Sequence, residues 1–137
     1  MAGMSKITEN AAAGSARDYT ACLSWDAAKE SACFLEAEKA LDVLVLDIGL
    51  QSSFADFFII ASAQSLGHMR GLVRNVDSVL AKHGLGPRGT KRGVNDDDNW
   101  ILLDCGDFII HIMTREAREF YDLEKLWFES PHVEFQS

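Results

Sequence analysis

The chain has 137 residues, 47% hydrophobic and 25% charged, which fits one soluble domain around one core. Its net charge of −8 disfavours binding to bare nucleic acid, no apolar run approaches the ~20 residues a membrane helix needs, and three scattered cysteines make neither a disulfide framework nor a zinc pattern. The imbalance lies in the last third: residues 94–137 carry eleven acids against Arg115, Arg118 and Lys125, a distribution that attracts a basic partner.

Residues 1–25 are rich in Ala, Gly, Ser and Thr and show no sustained period, so a disordered or loosely attached tail is expected there. "DAAKESACFLEAEKAL" follows, with Asp26 as a candidate cap and good helix formers behind it. "DVLVLDI" (42–48) and "DFFIIAS" (56–62) are short β-favouring runs, read as strands buried on both faces, with a turn between them. Leu66, Met69, Val73, Val76 and Leu80 recur at helical spacing, with Ser65 to cap the helix and Gly84 to end it. "GLGPRGTKRGVNDDDN" is a loop with a short edge strand near 87–92.

"WILLDCGDFIIHIM" predicts a hairpin turning at Cys105-Gly106. That register opposes Trp100 to His111, Leu102 to Ile109 and Asp104 to Asp107 on one mixed face. Ile101, Leu103, Phe108, Ile110 and Ile112 fill an apolar face that must be core. The last helix is expected over about 115–127, with Phe120, Leu123, Leu126 and Trp127 on its apolar stripe and Tyr121 and Glu124 away from it. Pro131 stops it, leaving 131–137 as a C-terminal tail around a domain of 26–130.

No catalytic constellation assembles. His68, His83, His111 and His132 are scattered, the run Asp96–Asp98 sits in a polar loop, and no phosphate-cradling or nucleophile-elbow motif occurs. The positive signal is acid interleaved with Trp100, Tyr121 and Trp127, residue types that anchor interfaces.

In order along the chain, "ALDVLVLDI", "SSFADFFIIASAQS", "GLGPRGTKRG", "WILLDCGDFIIHIM" and "REFYDLEKLW" together resemble the ribosomal silencing factor, or Iojap, family over about residues 28–130. The resemblance implies an α/β domain with a mixed sheet of four to five strands, flanked by helices and nucleotidyltransferase-like in topology. It implies a translation repressor without catalysis, cofactor or metal, at work in a bacterial cytoplasm or an organelle. The implied partner is the large ribosomal subunit, met through a basic protein on its subunit-joining face; no DNA or membrane contact is implied, and a homodimer of the free protein stays open. By motif, Trp100, Asp104, Gly106, Asp107 and His111 match the family's hairpin, and Tyr121, Leu123, Glu124, Leu126 and Trp127 its helix, while Cys105 departs from the aromatic or aliphatic residue usual there. Joined with the mixed face of the hairpin, this gives Trp100, Leu102, Asp104, Cys105, Asp107, Ile109, His111, Tyr121, Glu124 and Trp127 as the expected partner-binding residues, with Trp100 as anchor. The competing reading is a metal-dependent nucleotidyl- or phosphotransferase using Asp104 and Asp107, or Asp96–Asp98. The Gly-Ser loop and strand-borne Asp-x-Asp pair of such enzymes are missing, which counts against it.

Overall fold

The computed structural model describes residues 17–85, the backbone of 90–92, and residues 99–136. Five strands form one mixed sheet in the order β1-β2-β5-β4-β3: β1 Leu41–Asp47, β2 Phe57–Ala63, β3 Thr90–Arg92, β4 Trp100–Asp104 and β5 Phe108–Thr114. The central pair, β2 with β5, is parallel and the other pairs are antiparallel. Among the described residues four α-helices flank the sheet: α1 Trp25–Ala37, α2 Leu66–Lys82, α3 Arg115–Tyr121 and α4 Leu123–Leu126.

Because side chains alternate along a strand, the two sheet faces build two cores. On the first face Val45, Phe57, Ile59, Leu103, Ile110 and Ile112 pack against Leu35 of α1 and Met69, Leu72 and Val76 of α2. On the second, Leu46, Phe58, Ile60, Trp100 and Met113 meet Ala117 of α3 and Leu123 of α4. Strand β2, central and covered on both sides, is buried throughout, as its apolar run predicts. Strand β1 is an edge strand, and its first half is partly exposed, with a bulge between Leu41 and Leu44 and Asp42 at φ 51°.

The elements depart from the expectations in five places. Helix α1 starts at Trp25 after Ser24, so Asp26 lies in its first turn instead of capping it. The chain before it is not loose from residue 17 onward: Tyr19 meets Trp25 edge-on with ring centroids 4.8 Å apart, and Trp25 is core. Residues 1–16 lie outside the described residues. Residues 131–136 are no tail either. Val133 and Phe135 are buried, and the Val133 N–H donates to the Val45 carbonyl at 2.8 Å, covering half of the β1 edge. The expected boundaries at 25/26 and 130/131 thus fall inside packed chain, because isolated aromatic and β-branched residues carry no period for a sequence reading to detect.

The hairpin turns one residue later than expected. Leu103 pairs with Ile110 and Leu102 with His111, so the two-residue loop is Gly106-Asp107. Gly106 adopts φ 93°, a left-handed conformation that glycine accepts without a Cβ penalty. Asp104 Oδ1 accepts the Gly106 N–H at 2.9 Å and holds the turn. Finally, the long terminal helix is two short ones. Asp122 sits between them in the left-handed region, φ 47°, and breaks the phase of the apolar stripe.

Candidate functional site: an aromatic face bordered by carboxylates

Breaking the helix at Asp122 decides which residues look outward. Tyr121, expected outward, turns inward and packs on Trp100 with centroids 4.8 Å apart. Phe120 and Leu126, expected on the buried stripe, are instead 79% and 72% exposed. Arg118 holds the break: its guanidinium bonds Glu124 at 3.1 Å and the Ser62 hydroxyl at 3.1 Å, tying both short helices to β2.

A continuous run of rings crosses the second face. It passes from Phe54 to Trp127 at 6.2 Å, Trp127 to Phe58 at 5.0 Å, Phe58 to His111 at 4.5 Å, His111 to Trp100 at 5.8 Å, and on through Tyr121 to Phe120. The middle of this run is buried and its two ends are exposed. Trp100 retains 7% exposure and His111 3%. The indole N–H of Trp100 donates to His111 Nδ1 at 3.1 Å, so the neutral ring carries its proton on Nε2, which has no acceptor among the described residues. Burial lowers the His111 pKa from 6.5 to about 4.

The ten sequence-predicted residues therefore separate. Trp100, His111 and Cys105 are buried, and Trp100 is not the exposed anchor it was expected to be. The reason is tertiary: α3 folds back over the face that the hairpin alone would leave open. Leu102, Asp104, Ile109, Tyr121, Glu124 and Trp127 are partly exposed, and Asp107 is fully so. Phe58 pairs with Ile109, and Ile109 with Asp104, so the half-open part of this face runs from ring to carboxylate in adjacent strands.

Sequence reasoning missed three exposed apolar residues at this end: Leu50, Phe54 at 55% exposure, and Phe128 at 70%. Phe54 sits in the β1–β2 turn and Phe128 just after α4, where no period signals orientation. The only available signal was an aromatic in a turn otherwise made of small and polar residues. The turn is joined to the hairpin through the Asp56 N–H, which donates to the Asp107 carbonyl at 2.6 Å. Acids border the apolar residues: Asp104 and Asp107 at the hairpin, Glu124 and Glu129 near α4.

Among the described residues no group of three His, Cys, Asp or Glu is placed to hold a metal ion, and Asp104 is engaged as a turn cap. Asp96–Asp98 lie outside the described residues. No described helix is long and apolar enough to cross a membrane.

These features define a small α/β domain that offers an aromatic, acid-bordered surface. Residues 24–137 match the family model described as ribosomal silencing factor during starvation, and the chain belongs to that family of non-catalytic regulatory factors. It is 30% identical to the ribosomal silencing factor of Bacillus subtilis over 75% of this chain and 86% of the relative, and 38% identical to that of Haemophilus influenzae over 68% and 89%. It is also 35% identical to the mouse mitochondrial assembly of ribosomal large subunit protein 1, covering 68% of this chain and 41% of that one. A crystal structure of a protein from Chromobacterium violaceum superposes with a TM-score of 0.68 at 28% identity, covering 75% of this chain and 84% of the other.

Proposed function

We propose that this protein represses translation by docking on the large ribosomal subunit and sterically blocking its union with the small one. The partner is a basic protein on the subunit-joining face. The observation that carries the reading is the second face itself: exposed Phe54, Leu126 and Phe128 near half-buried Trp127 at one end of the ring run and exposed Phe120 at the other, with carboxylates at the border. Exposed rings of this kind gain by burial against a partner, while the border acids meet Lys and Arg and steer the encounter. A monomer has no internal reason to leave four large apolar side chains exposed on one short segment and its neighbouring turn.

Within this reading the contact residues are Leu102, Asp104, Asp107, Ile109, Tyr121, Glu124 and Trp127, joined by Phe54, Phe120, Leu126 and Phe128. Trp100, His111 and Cys105 support the surface from beneath. The working unit extends from about residue 17 to residue 136, since both ends are packed on the core. It acts in a bacterial cytoplasm, or in an organelle as the mitochondrial relatives do. The fold is kin in shape to nucleotidyltransferases, as the family resemblance implies, a reading that the mixed sheet supports.

Sedimentation of purified subunits decides the matter. Saturating protein should leave the large and small subunits apart and comigrate with the large one. Joined particles formed in undiminished yield would overturn the proposal.

A further inference from the structure

We infer that Arg17 is a positioning residue for this docking face: its guanidinium clamps the turn that presents Leu50 and Phe54. The inference rests on the docking proposal above and adds a control element that lies before residue 24, where the family match begins.

The turn between β1 and β2 has little holding it from within. Its internal bonds are Gln51 N–H to the Ile48 carbonyl, Phe54 N–H to the Ser52 hydroxyl, and Ile48 N–H to the Asp56 carbonyl. Yet it exposes two large apolar side chains, Leu50 and Phe54, and Phe54 contacts Phe58 and Trp127 of the proposed surface at centroid distances of 6.1 and 6.2 Å. An unrestrained turn would lose part of its binding gain to ordering on contact.

The Asp56 N–H on the Asp107 carbonyl at 2.6 Å and the Ser130 hydroxyl on Gln51 Oε1 at 3.0 Å tie the turn to its neighbours, and Arg17 adds the link between its two stems. Asp47 ends β1 and Asp56 stands immediately before β2, so the two carboxylates mark the two stems of the turn. Arg17 Nε donates to Asp47 Oδ1 at 2.9 Å and Oδ2 at 3.1 Å, and Nη2 lies 2.7 Å from Asp47 Oδ1. The same Nη2 reaches the Asp56 carbonyl at 3.4 Å and its carboxylate at 3.3 Å. One cation therefore bridges both stems. The hydrogen bond to Asp47 raises the Arg17 pKa above its ordinary value. Asp47 is buried, and without Arg17 its carboxylate would keep, among the described residues, only the Gly49 N–H at 3.1 Å. The guanidinium also lies over the Phe57 ring, 5.8 Å from its centroid.

Gly49 gives the arrangement a second handle. A Cβ there would fall 2.2 Å from the guanidinium carbon, and the three nearest atoms all belong to Arg17. The space at 49 is taken by the flexible end of Arg17, so alanine there should push the guanidinium out of the clamp while leaving the backbone free to keep its course.

The test uses full-length protein as wild type, Arg17→Ala, Gly49→Ala, the double variant and Phe54→Ala. Amide hydrogen exchange is read across residues 48–56 and, as an internal control, in α2. Affinity for purified large subunits is read on the same samples. The inference expects about tenfold faster exchange in the turn for Arg17→Ala and for Gly49→Ala, unchanged exchange in α2, and about tenfold weaker subunit binding for each. The double variant should be no worse than either single one, and in a further Arg17→Ala/Phe54→Ala variant the second change should add little to the first. Evenly faster exchange across turn and α2 would make Arg17 a general stabiliser and overturn the positioning role. Wild-type affinity in Arg17→Ala would overturn it too, while leaving the docking proposal standing. Wild-type protein that binds no large subunit would overturn both.

Discussion

Trp100 and His111 are joined across the hairpin by an indole N–H donated to Nδ1 at 3.1 Å, a diagonal contact between β4 and β5, because Trp100 itself pairs with Met113 and His111 with Leu102. The bond fixes the imidazole tautomer in a site where burial disfavours charge. The aromatic face is therefore built around a neutral histidine.

That histidine makes stability depend on pH in a definite direction. The folded pKa is about 4 and the unfolded value is the ordinary 6.5, so the unfolded chain binds the proton first. His111 should leave stability unaffected above about pH 6.5 and remove up to about 3 kcal/mol as pH falls toward 4. His111→Gln keeps an acceptor for Trp100 and has no such titration. Denaturant melts of both proteins from pH 7 to 4 should show the wild type losing more stability; parallel curves would refute the assignment.

Trp100→Ala should behave as a core deletion. It empties a 7% exposed site between Tyr121 and His111 and leaves Nδ1 without its donor. A cost of about 3–5 kcal/mol is expected, comparable to Ile110→Ala at about 2–5 kcal/mol. Chemical denaturation compares the two directly.

Phe54→Ala, Phe120→Ala and Phe128→Ala should have the opposite profile. These side chains are mostly exposed, so each should change stability by less than about 1 kcal/mol. Where a ring is a docking anchor, its removal should weaken large-subunit binding by about 2 kcal/mol. Melting temperature and subunit affinity measured on the same samples separate surface from scaffold.

Asp122 should accept glycine and resist valine. At φ 47° a β-branched residue is strained by roughly 1–2 kcal/mol, whereas glycine is relaxed. Asp122→Gly should melt within a few degrees of wild type. Asp122→Val should melt lower, and it should raise the solvent accessibility of Tyr121 as read by its fluorescence quenching.

A chain ending at Ser130 should be markedly unstable. It would lose buried Val133 and Phe135, each worth about 1.5–3 kcal/mol of burial, and the backbone bonds from residues 131 and 133 to β1. Circular dichroism melts of the truncated and full chains decide this.

Much of the architecture was legible because it is periodic. The spacing of Met69, Val73, Val76 and Leu80 marked α2, and Ser65 does cap it, its hydroxyl accepting the His68 N–H at 3.0 Å. The apolar runs marked β1, β2, β4 and β5. The hairpin register was shifted by two residues and moved Asp107 into the turn, yet the side chains that remained in the two strands kept their assigned faces, because strand sides repeat every two residues. The core face of Ile101, Leu103, Phe108, Ile110 and Ile112 therefore held although no individual pairing did.

Alternation, helical spacing and motif order thus determined the strands, the main helices, the first core and the family, since each is a local pattern repeated along the chain. The surface depended on contacts distant in sequence. A single left-handed residue, Asp122, reversed Tyr121 and Phe120, and the fold-back of α3 hid Trp100. Arg17 reached a turn thirty residues away, as its bond to Asp47 records. Which face of the hairpin meets solvent is set by what packs upon it. That energy belongs to the assembled molecule, and no stretch of local sequence contains it.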